Sequence, residues 1–178
     1  MNGSTEATER PLDLSSLLQA LAHHSVDYVV IGGVAVQVHG HRRTTMDLDL
    51  VPDPAPDNLL RLSAVLKELE ARPRDTPAGE VEVAAADLER LALAAVVPPL
   101  STRHGQLHIL PQPKGSRPFG ALKEAALVVE IDGVEIAIAS LDDLIRMKRA
   151  AGRPADLDDI AALTAAAPKR PSPPGAPG

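Results

Sequence analysis

The sequence predicts an α+β fold in which strands and helices follow one another in mixed order and two helices end the domain. Three observations support this prediction. Short β-rich runs alternate with segments of helical periodicity, and a strong hairpin signal stands at Asp132-Gly133. After that hairpin, a capping residue at Ser140 and a proline at Pro154 mark the starts of two consecutive helices.

One domain accounts for most of the 178 residues. Apolar residues make up 44% of the chain, enough for an ordinary core, and we assign the domain to residues 12–167. Residues 1–11 lack a periodic pattern and residues 168–178 are rich in proline, so both ends are expected to be disordered tails. Because the chain has one Tyr, one Phe and no Trp, it offers almost no aromatic surface on which bases could stack.

The charge and the cysteine count exclude several functional classes. Lys and Arg total 18 against 24 Asp and Glu, and the net charge of -6 argues against nonspecific nucleic-acid binding over the whole surface. The absence of cysteine rules out a disulfide framework and thiolate chemistry. Without a signal-peptide pattern or a long apolar run, we expect a cytoplasmic protein that does not contact a membrane.

Periodicity and turn residues predict the elements of the first half. Gly32-Gly33 stops the first strand, and Gly40 closes the short helix that follows it. The predicted order is a helix over 14–23, a strand over 27–31, a helix over 34–39, a strand over 46–51 and a helix capped by Asp57 that runs to about residue 70.

The second half contains the segment that is hardest to interpret, residues 80–100. A short helix could start at Asp87, and Pro98-Pro99 should confine any following strand to a sheet edge. Further along, we predict a strand over 106–110, a hairpin of strands 127–131 and 134–139, a helix over 141–151 that ends at Gly152, and a last helix from Pro154.

Two aspartates lie on one face of the second predicted strand. In Met46-Asp47-Leu48-Asp49-Leu50, a period of two places both carboxylates on the same side, about 7 Å apart along the strand. Oxygen ligands in this arrangement suit Mg²⁺, and two such ions about 4 Å apart can clamp a phosphoryl transfer. The alternative is a polar, solvent-facing side of an edge strand.

The Gly32-Gly33 turn precedes a helix, where small residues let a phosphate approach backbone N–H groups. By itself this pair more often marks a plain tight turn. Its context adds weight, because a strand, Gly-Gly, a short helix, a basic loop and Asp47-x-Asp49 follow one another within about 25 residues.

At this point the sequence resembles a known family. Ile31-Gly32-Gly33, His39-Gly40 and Arg43-Thr44-Thr45-Met46-Asp47-Leu48-Asp49 resemble the first motif of the nucleotidyltransferase superfamily, which has a DNA polymerase β-like fold. The similarity is to the members related to AbiEii and AbiGii toxins. It extends over residues 25–165, because the segment from Ser140 to Asp159 is similar to the C-terminal helices of that family.

The resemblance implies a mixed β-sheet with helices packed on it and a nucleoside triphosphate bound with Mg²⁺ or Mn²⁺. It also implies nucleotidyl transfer to a macromolecule, either RNA, such as tRNA, or protein, by the toxin of a toxin–antitoxin pair with a cognate antitoxin. The residues that match the family's roles are Asp47 and Asp49 for metal, Gly32 and Gly33 for the triphosphate, Lys148 for phosphate charge, and Arg43 and Arg153 for further phosphate contacts.

The basic and acidic residues near the C-terminus have ordinary structural explanations too. Lys148 lies beside the apolar face of its helix, and a basic last turn also stabilises a helix C-terminus. Asp156 and Asp159 are expected first to be stabilising acids at a helix N-terminus. Five cations could form a basic rim for a phosphate-rich substrate, although scattered solvated charges explain most of them: Arg42, Arg43, Arg103, Lys114 and Arg117.

The sequence departs from the family at one position. Relatives carry a third acidic residue in a segment like Gly-x-Leu-Asp, which here is Gly105-Gln106-Leu107-His108. His108 could ligate a transition metal, act as the catalytic base, or be structural, but a neutral imidazole supplies no negative charge and metal affinity should fall. Three hypotheses remain: an active enzyme, a degenerate relative that binds a nucleotide or a partner, and a small antitoxin-like interaction module.

Overall fold

The computed structural model describes residues 11–74 and 97–166. The predicted helix at Asp87 and both predicted tails, apart from Pro11, lie outside these residues. No helix in the described ranges is long and apolar enough to cross a membrane. The elements in chain order are α1 (Leu14–His23), β1 (Tyr28–Ile31), α2 (Gly32–Val38), β2 (Asp47–Pro52), α3 (Pro56–Glu68), β3 (Arg72–Pro73), β4 (Leu100–Thr102), β5 (Gly105–Ile109), α4 (Phe119–Glu124), β6 (Leu127–Ile131), β7 (Val134–Ile138), α5 (Leu141–Ala151) and α6 (Pro154–Ala166).

In residues 11–74 and 97–166, the strands form one mixed sheet of seven strands in the order β3-β4-β5-β2-β1-β7-β6. β1 pairs with β7 and β2 pairs with β5 in parallel, whereas the other neighbours are antiparallel. β1 and β2 are therefore internal strands, and the C-terminal end of β1 and the N-terminal end of β2 lie at the same end of the sheet. The expectation of an α+β fold with a mixed sheet is confirmed.

Helices cover the sheet through small aliphatic side chains. α1 packs against α3 and β7, α2 packs against β1, β2 and α5, and α5 packs against α6. The fully buried side chains are mostly leucines, as expected for a chain with so few aromatic residues. They include Leu17, Leu21, Leu48, Leu50, Leu62, Leu100, Leu107 and Leu144.

Several predicted boundaries are shifted. α2 begins at Gly32 itself and not at residue 34, because a φ of +64° at this glycine lets the chain turn directly from strand to helix. Asp57 does not cap α3: the N-cap is Ala55, and Asp57 lies in the first turn, where it forms an ion pair with Arg61 at 2.8 Å. α4 was not predicted from the sequence.

The prediction that a strand after Pro98-Pro99 lies at a sheet edge is wrong. β4 lies between β3 and β5, and among the strands of the described residues the short β3 is the outer one. Both prolines precede β4, so they remove none of its own N–H groups from the ladder. The capping prediction at Ser140 is confirmed, since its hydroxyl accepts a hydrogen bond of 3.2 Å from the backbone N–H of Asp143.

Candidate active site

Two neighbouring strands carry the acidic cluster. In β2, Asp47 and Asp49 share one face, while Leu48 and Leu50 are fully buried on the other. β5 runs parallel to β2 and places His108 directly opposite Asp49. The register of this one strand pair therefore brings two carboxylates and an imidazole together.

His108 contacts both carboxylates through the same ring nitrogen. Its Nδ1 lies 2.9 Å from Oδ1 of Asp49 and 3.3 Å from Oδ2 of Asp47. The hydrogen bond to Asp49, opposed by burial and assisted by the two negative charges, raises the pKa of His108 above its ordinary value. The other ring nitrogen, Nε2, is buried and has no hydrogen-bond partner within residues 11–74 and 97–166.

The two glycines lie where a side chain has no room. A Cβ at Gly32 would overlap the carboxyl group of Asp49 and come within 2.9 Å of the Asp49 Cβ. A Cβ at Gly33 would come within 2.8 Å of the Cβ of Thr45, whose hydroxyl donates a 3.0 Å hydrogen bond to Asp47. The backbone of the glycine turn thus packs directly against the strand that carries the aspartates.

A second group of charges surrounds Asp159 on α6. This side chain is only 3% exposed, and it accepts hydrogen bonds from Nη1 of Arg43 and, at 2.6 Å, from Nζ of Lys148. Nε2 of His41 lies 3.6 Å from its other oxygen. Lys148 also donates a 3.1 Å hydrogen bond to Asp156. These contacts tie three separate parts of the chain together: the loop before β2, α5 and α6.

The sequence predicts that Asp156 and Asp159 are stabilising acids at a helix N-terminus, and this prediction is incomplete. Asp159 lies in the second turn of α6, and although burial opposes its ionisation, Lys148 and Arg43 hold its pKa below the ordinary value of 3.8. A usable signal was the i, i+3 spacing, which places both acids on one helix face immediately after a basic last turn.

The residues predicted to bind metal and nucleotide lie around one cavity of about 410 Å³. His108 joins them through its contacts with the two aspartates. Lys114 and Asp156 complete the charged lining, and part of the wall is apolar, with Leu144 and Met147 from α5. The predicted residues in the lining are Gly32, Gly33, Arg43, Asp47, Asp49, Lys148 and Arg153.

The proposed basic rim is only partly assembled. Lys114 and Arg43 line the cavity, and Arg42 lines an open groove beside Arg43. Arg117 instead binds the buried Asp143 through a 2.9 Å hydrogen bond from its Nε, and Arg103 lines a different groove. Two of the five cations therefore face the cavity.

The donor set of the acidic cluster fits a divalent cation. One ligand atom from each of Asp47, Asp49 and His108 lies within 4.8 Å of the others. Carboxylate oxygens are preferred ligands of Mg²⁺ and Mn²⁺, and imidazole is a common ligand of transition metals. Within the described ranges one further group has metal-ligand side chains, His23, His24 and Glu68, and it shares no residue with the cavity lining.

Comparison with known proteins identifies the fold. No protein-family model matches the chain, and no curated protein matches it significantly. Among solved structures, the chain is similar to the lincosamide antibiotic adenylyltransferase LnuA, determined with lincomycin bound. The TM-score is 0.56 at 16% identity, and the match covers 89% of this chain and 99% of LnuA.

Two further structures give the same result. ANT(2'')-Ia, determined in complex with adenylyl-2''-tobramycin, matches with a TM-score of 0.53 at 13% identity, over 85% of each chain. A Thermotoga maritima protein described as a candidate nucleotidyltransferase matches with a TM-score of 0.53 at 15% identity, over 85% of this chain and 90% of that one. At such low identities the likeness shows the fold, so this chain has a nucleotidyltransferase fold.

Proposed function

We propose that the protein is a metal-dependent nucleotidyltransferase that transfers a nucleoside monophosphate from a nucleoside triphosphate to a hydroxyl group of RNA or protein. One observation carries this proposal: carboxylates suited to a metal and cations suited to a triphosphate line the same cavity. The acceptor oxygen would form a bond to the α-phosphorus while the bond to pyrophosphate breaks, and the hydroxyl proton would pass to water.

The acidic residues, the glycines and the basic residues of the cavity would have different roles in this reaction. Asp47 and Asp49 would hold the metal ion, which when bound neutralises charge on the phosphate oxygens and on the attacking and leaving oxygens. Gly32 and Gly33, which carry no side chain, would let the triphosphate lie against their backbone. Their position next to Asp49 and Thr45 puts that backbone beside the metal-binding carboxylates.

Cations would bind the rest of the triphosphate. Lys148 and Arg43 already meet at Asp159, so their positive charges are held on one side of the cavity. Arg153, whose side chain is 77% exposed, can reach outward to the phosphates. Positioned charges of this kind stabilise the negative charge that accumulates on the leaving pyrophosphate.

The acceptor defines two candidate functions. The resemblance to AbiEii-type toxins supports a macromolecular acceptor, either RNA, including tRNA, or protein, and a toxin role with a cognate antitoxin. The names of the structural neighbours support a small acceptor instead, since LnuA is a lincosamide adenylyltransferase and ANT(2'')-Ia was determined with an adenylylated tobramycin. A degenerate relative that binds nucleotide without transferring it is the third possibility, because His108 replaces a carboxylate.

The test is incorporation of label from each α-³²P nucleoside triphosphate into total RNA, total protein, lincomycin or tobramycin, with Mg²⁺ or Mn²⁺. We expect label in a macromolecular fraction with the wild type and background with Asp49→Asn. Asp132→Asn is the matched control, because Asp132 is exposed in the hairpin turn and its φ of +50° suits Asn. Equal label with wild type and Asp49→Asn would refute the proposal.

The toxin role has its own test. Induced expression of the wild type should stop bacterial growth, whereas Asp49→Asn and the wild type at basal expression should not. Growth that continues with active enzyme would remove the toxin role and leave the transferase proposal intact. Label only in lincomycin or tobramycin would select the small-acceptor function.

A further inference from the structure

We propose that His108 is a direct ligand of the metal site and that it makes this site prefer Mn²⁺ over Mg²⁺. The inference rests on the proposed function only in assuming that a divalent ion binds at Asp47 and Asp49. It goes beyond that function because it assigns a ligand role to the residue at which this chain departs from the three-carboxylate pattern.

The distances within the cluster already match those of ligands that share an ion. Two adjacent ligands of an octahedral ion, each about 2.1 Å from the metal, lie about 3 Å apart. Nδ1 of His108 lies 2.9 Å from the nearer oxygen of Asp49 and 3.3 Å from the nearer oxygen of Asp47. An ion can therefore replace the ring proton between these atoms without a large movement of the side chains.

The backbone holds the imidazole in this orientation. His108 and Asp49 are direct partners in the parallel ladder between β5 and β2, and both strands are internal to the sheet. In the part of the chain that the structure describes, Nε2 has no hydrogen-bond partner that could turn the ring towards another contact. The polar contacts of the ring are those of Nδ1, and they are directed at the two carboxylates.

Charge and ligand type together predict the preference. Three carboxylates would give the site a charge of about -3, whereas Asp47, Asp49 and a neutral His108 give about -2. Mg²⁺ depends on hard oxygen ligands and loses affinity when one anionic oxygen is replaced by nitrogen. Mn²⁺ also prefers oxygen ligands, but as a first-row transition-metal ion it accepts an imidazole nitrogen more readily than Mg²⁺ does, so the replacement affects it less.

Metal-binding titrations test this preference without any turnover. Mn²⁺ binding would be followed by the free-ion EPR signal and Mg²⁺ binding by competition, in a His24→Ala background that disables the separate His23, His24 and Glu68 group. We expect the ratio of Mg²⁺ to Mn²⁺ dissociation constants to fall by roughly tenfold when His108→Asp restores a third carboxylate. An unchanged ratio in a folded variant would overturn the proposal.

A spectroscopic measurement on the His24→Ala protein, which retains His108, keeps the test independent of how the His108→Asp variant folds. Pulsed EPR of its Mn²⁺ complex should show ¹⁴N modulation from a bound imidazole, and this modulation should be absent when His108→Asn is added. Mn²⁺ bound without ¹⁴N modulation would overturn the ligand role and leave the transferase proposal standing. ¹⁴N modulation in a protein that incorporates no label would support the ligand role and overturn the transferase proposal.

Discussion

The candidate site has two halves that are built in different ways. The strand half consists of Asp47, Asp49 and His108, which the register of β2 and β5 holds together. The helix half consists of Arg43, Lys148, Asp156 and Asp159, which come from a loop and two helices and meet through ion pairs.

This difference determines what can disturb each half. A strand ladder fixes Cα positions through backbone hydrogen bonds, which a side-chain substitution does not remove. Ion pairs between separate elements are lost when either charged partner is removed, and the charge left behind is costly where it is buried. We therefore expect the strand half to resist charge substitutions but to be sensitive to volume, and the helix half to show the opposite behaviour.

The largest effect is expected from added volume at Gly32. Gly32→Ala combines a left-handed φ, which costs about 1–2 kcal/mol for a non-glycine residue, with overlap of the Asp49 carboxyl group, which costs about 1–3 kcal/mol more. We expect the free energy of unfolding to fall by about 2–5 kcal/mol and nucleotide incorporation to drop to background. Urea denaturation and the labelling assay measure the two effects.

Gly120→Ala is the matched control for this substitution. A Cβ at Gly120 meets nothing within 4 Å, and the residue lies inside α4. Because alanine favours helices, we expect stability to rise by about 0.5–1 kcal/mol with unchanged activity. A Gly32→Ala protein as stable and active as this control would show that the turn is not tightly packed against Asp49.

The next largest effect is expected from loss of the buried carboxylate in the helix half. Asp159→Ala leaves Arg43 without its buried partner and leaves Lys148, 11% exposed, with Asp156 alone. Breaking a buried ion pair costs about 3 kcal/mol or more. We expect a decrease of that size in the free energy of unfolding, measured in urea.

Asp158→Ala provides the control on the same helix. Asp158 is exposed, so its removal should change stability by less than about 0.5 kcal/mol. Equal, small losses for both variants would mean that apolar packing, including that of the buried Leu163, holds α6 in place.

The two halves should also respond to pH in opposite directions. The pKa of Asp159 is lowered, so its stabilising contribution is present above the ordinary value of 3.8 and is lost as the pH falls through the folded-state pKa. The stability difference between wild type and Asp159→Asn should be constant from about pH 7 to pH 5 and shrink in more acidic solution. A difference that does not shrink would show that the ionised carboxylate is not the source of the stabilisation.

His108 provides the opposite case in metal-free protein. Its pKa is raised, so its contribution is present below the ordinary value of 6.5 and is lost as the pH rises through the folded-state pKa. With EDTA present, the stability difference between wild type and His108→Asn should therefore decrease from acidic to alkaline pH. An increase over that range would contradict the hydrogen bond from the protonated ring to Asp49.

The contrast between the halves also explains what could be predicted from sequence. The strand half follows from local periodicity, because alternation alone puts Asp47 and Asp49 on one face. The pairing of β2 with β5, and hence the contact of His108 with Asp49, needed the resemblance to a known family. The partners of Asp159 were missed because they are 11 and 116 residues away along the chain, and no local pattern encodes such contacts.

The fold shows the same limit. The order of strands and helices, the hairpin and the Ser140 cap follow from turn and capping residues. The position of β4 inside the sheet does not, because the outer strand is only two residues long and contains Pro73. Such a short strand has no periodicity from which to predict it.

The smallest effect on stability is expected from substitution of Arg153, which tests nucleotide binding without disturbing the fold. Its Nε lies 3.9 Å from Asp156 and its side chain is 77% exposed, so an ion pair of this kind contributes about 0–1 kcal/mol. We expect Arg153→Ala to leave the free energy of unfolding nearly unchanged and to weaken binding of a fluorescent nucleoside triphosphate by about fivefold, equivalent to about 1 kcal/mol.

Arg149→Ala is the control, because Arg149 is exposed in the last turn of α5 and is not part of the cavity lining. If both arginine variants bind the nucleotide as tightly as the wild type, the triphosphate does not contact Arg153. Lys148 and Arg43, held together by Asp159, would then be the cations that meet it, and the loss of Asp159 should reduce nucleotide affinity as well as stability.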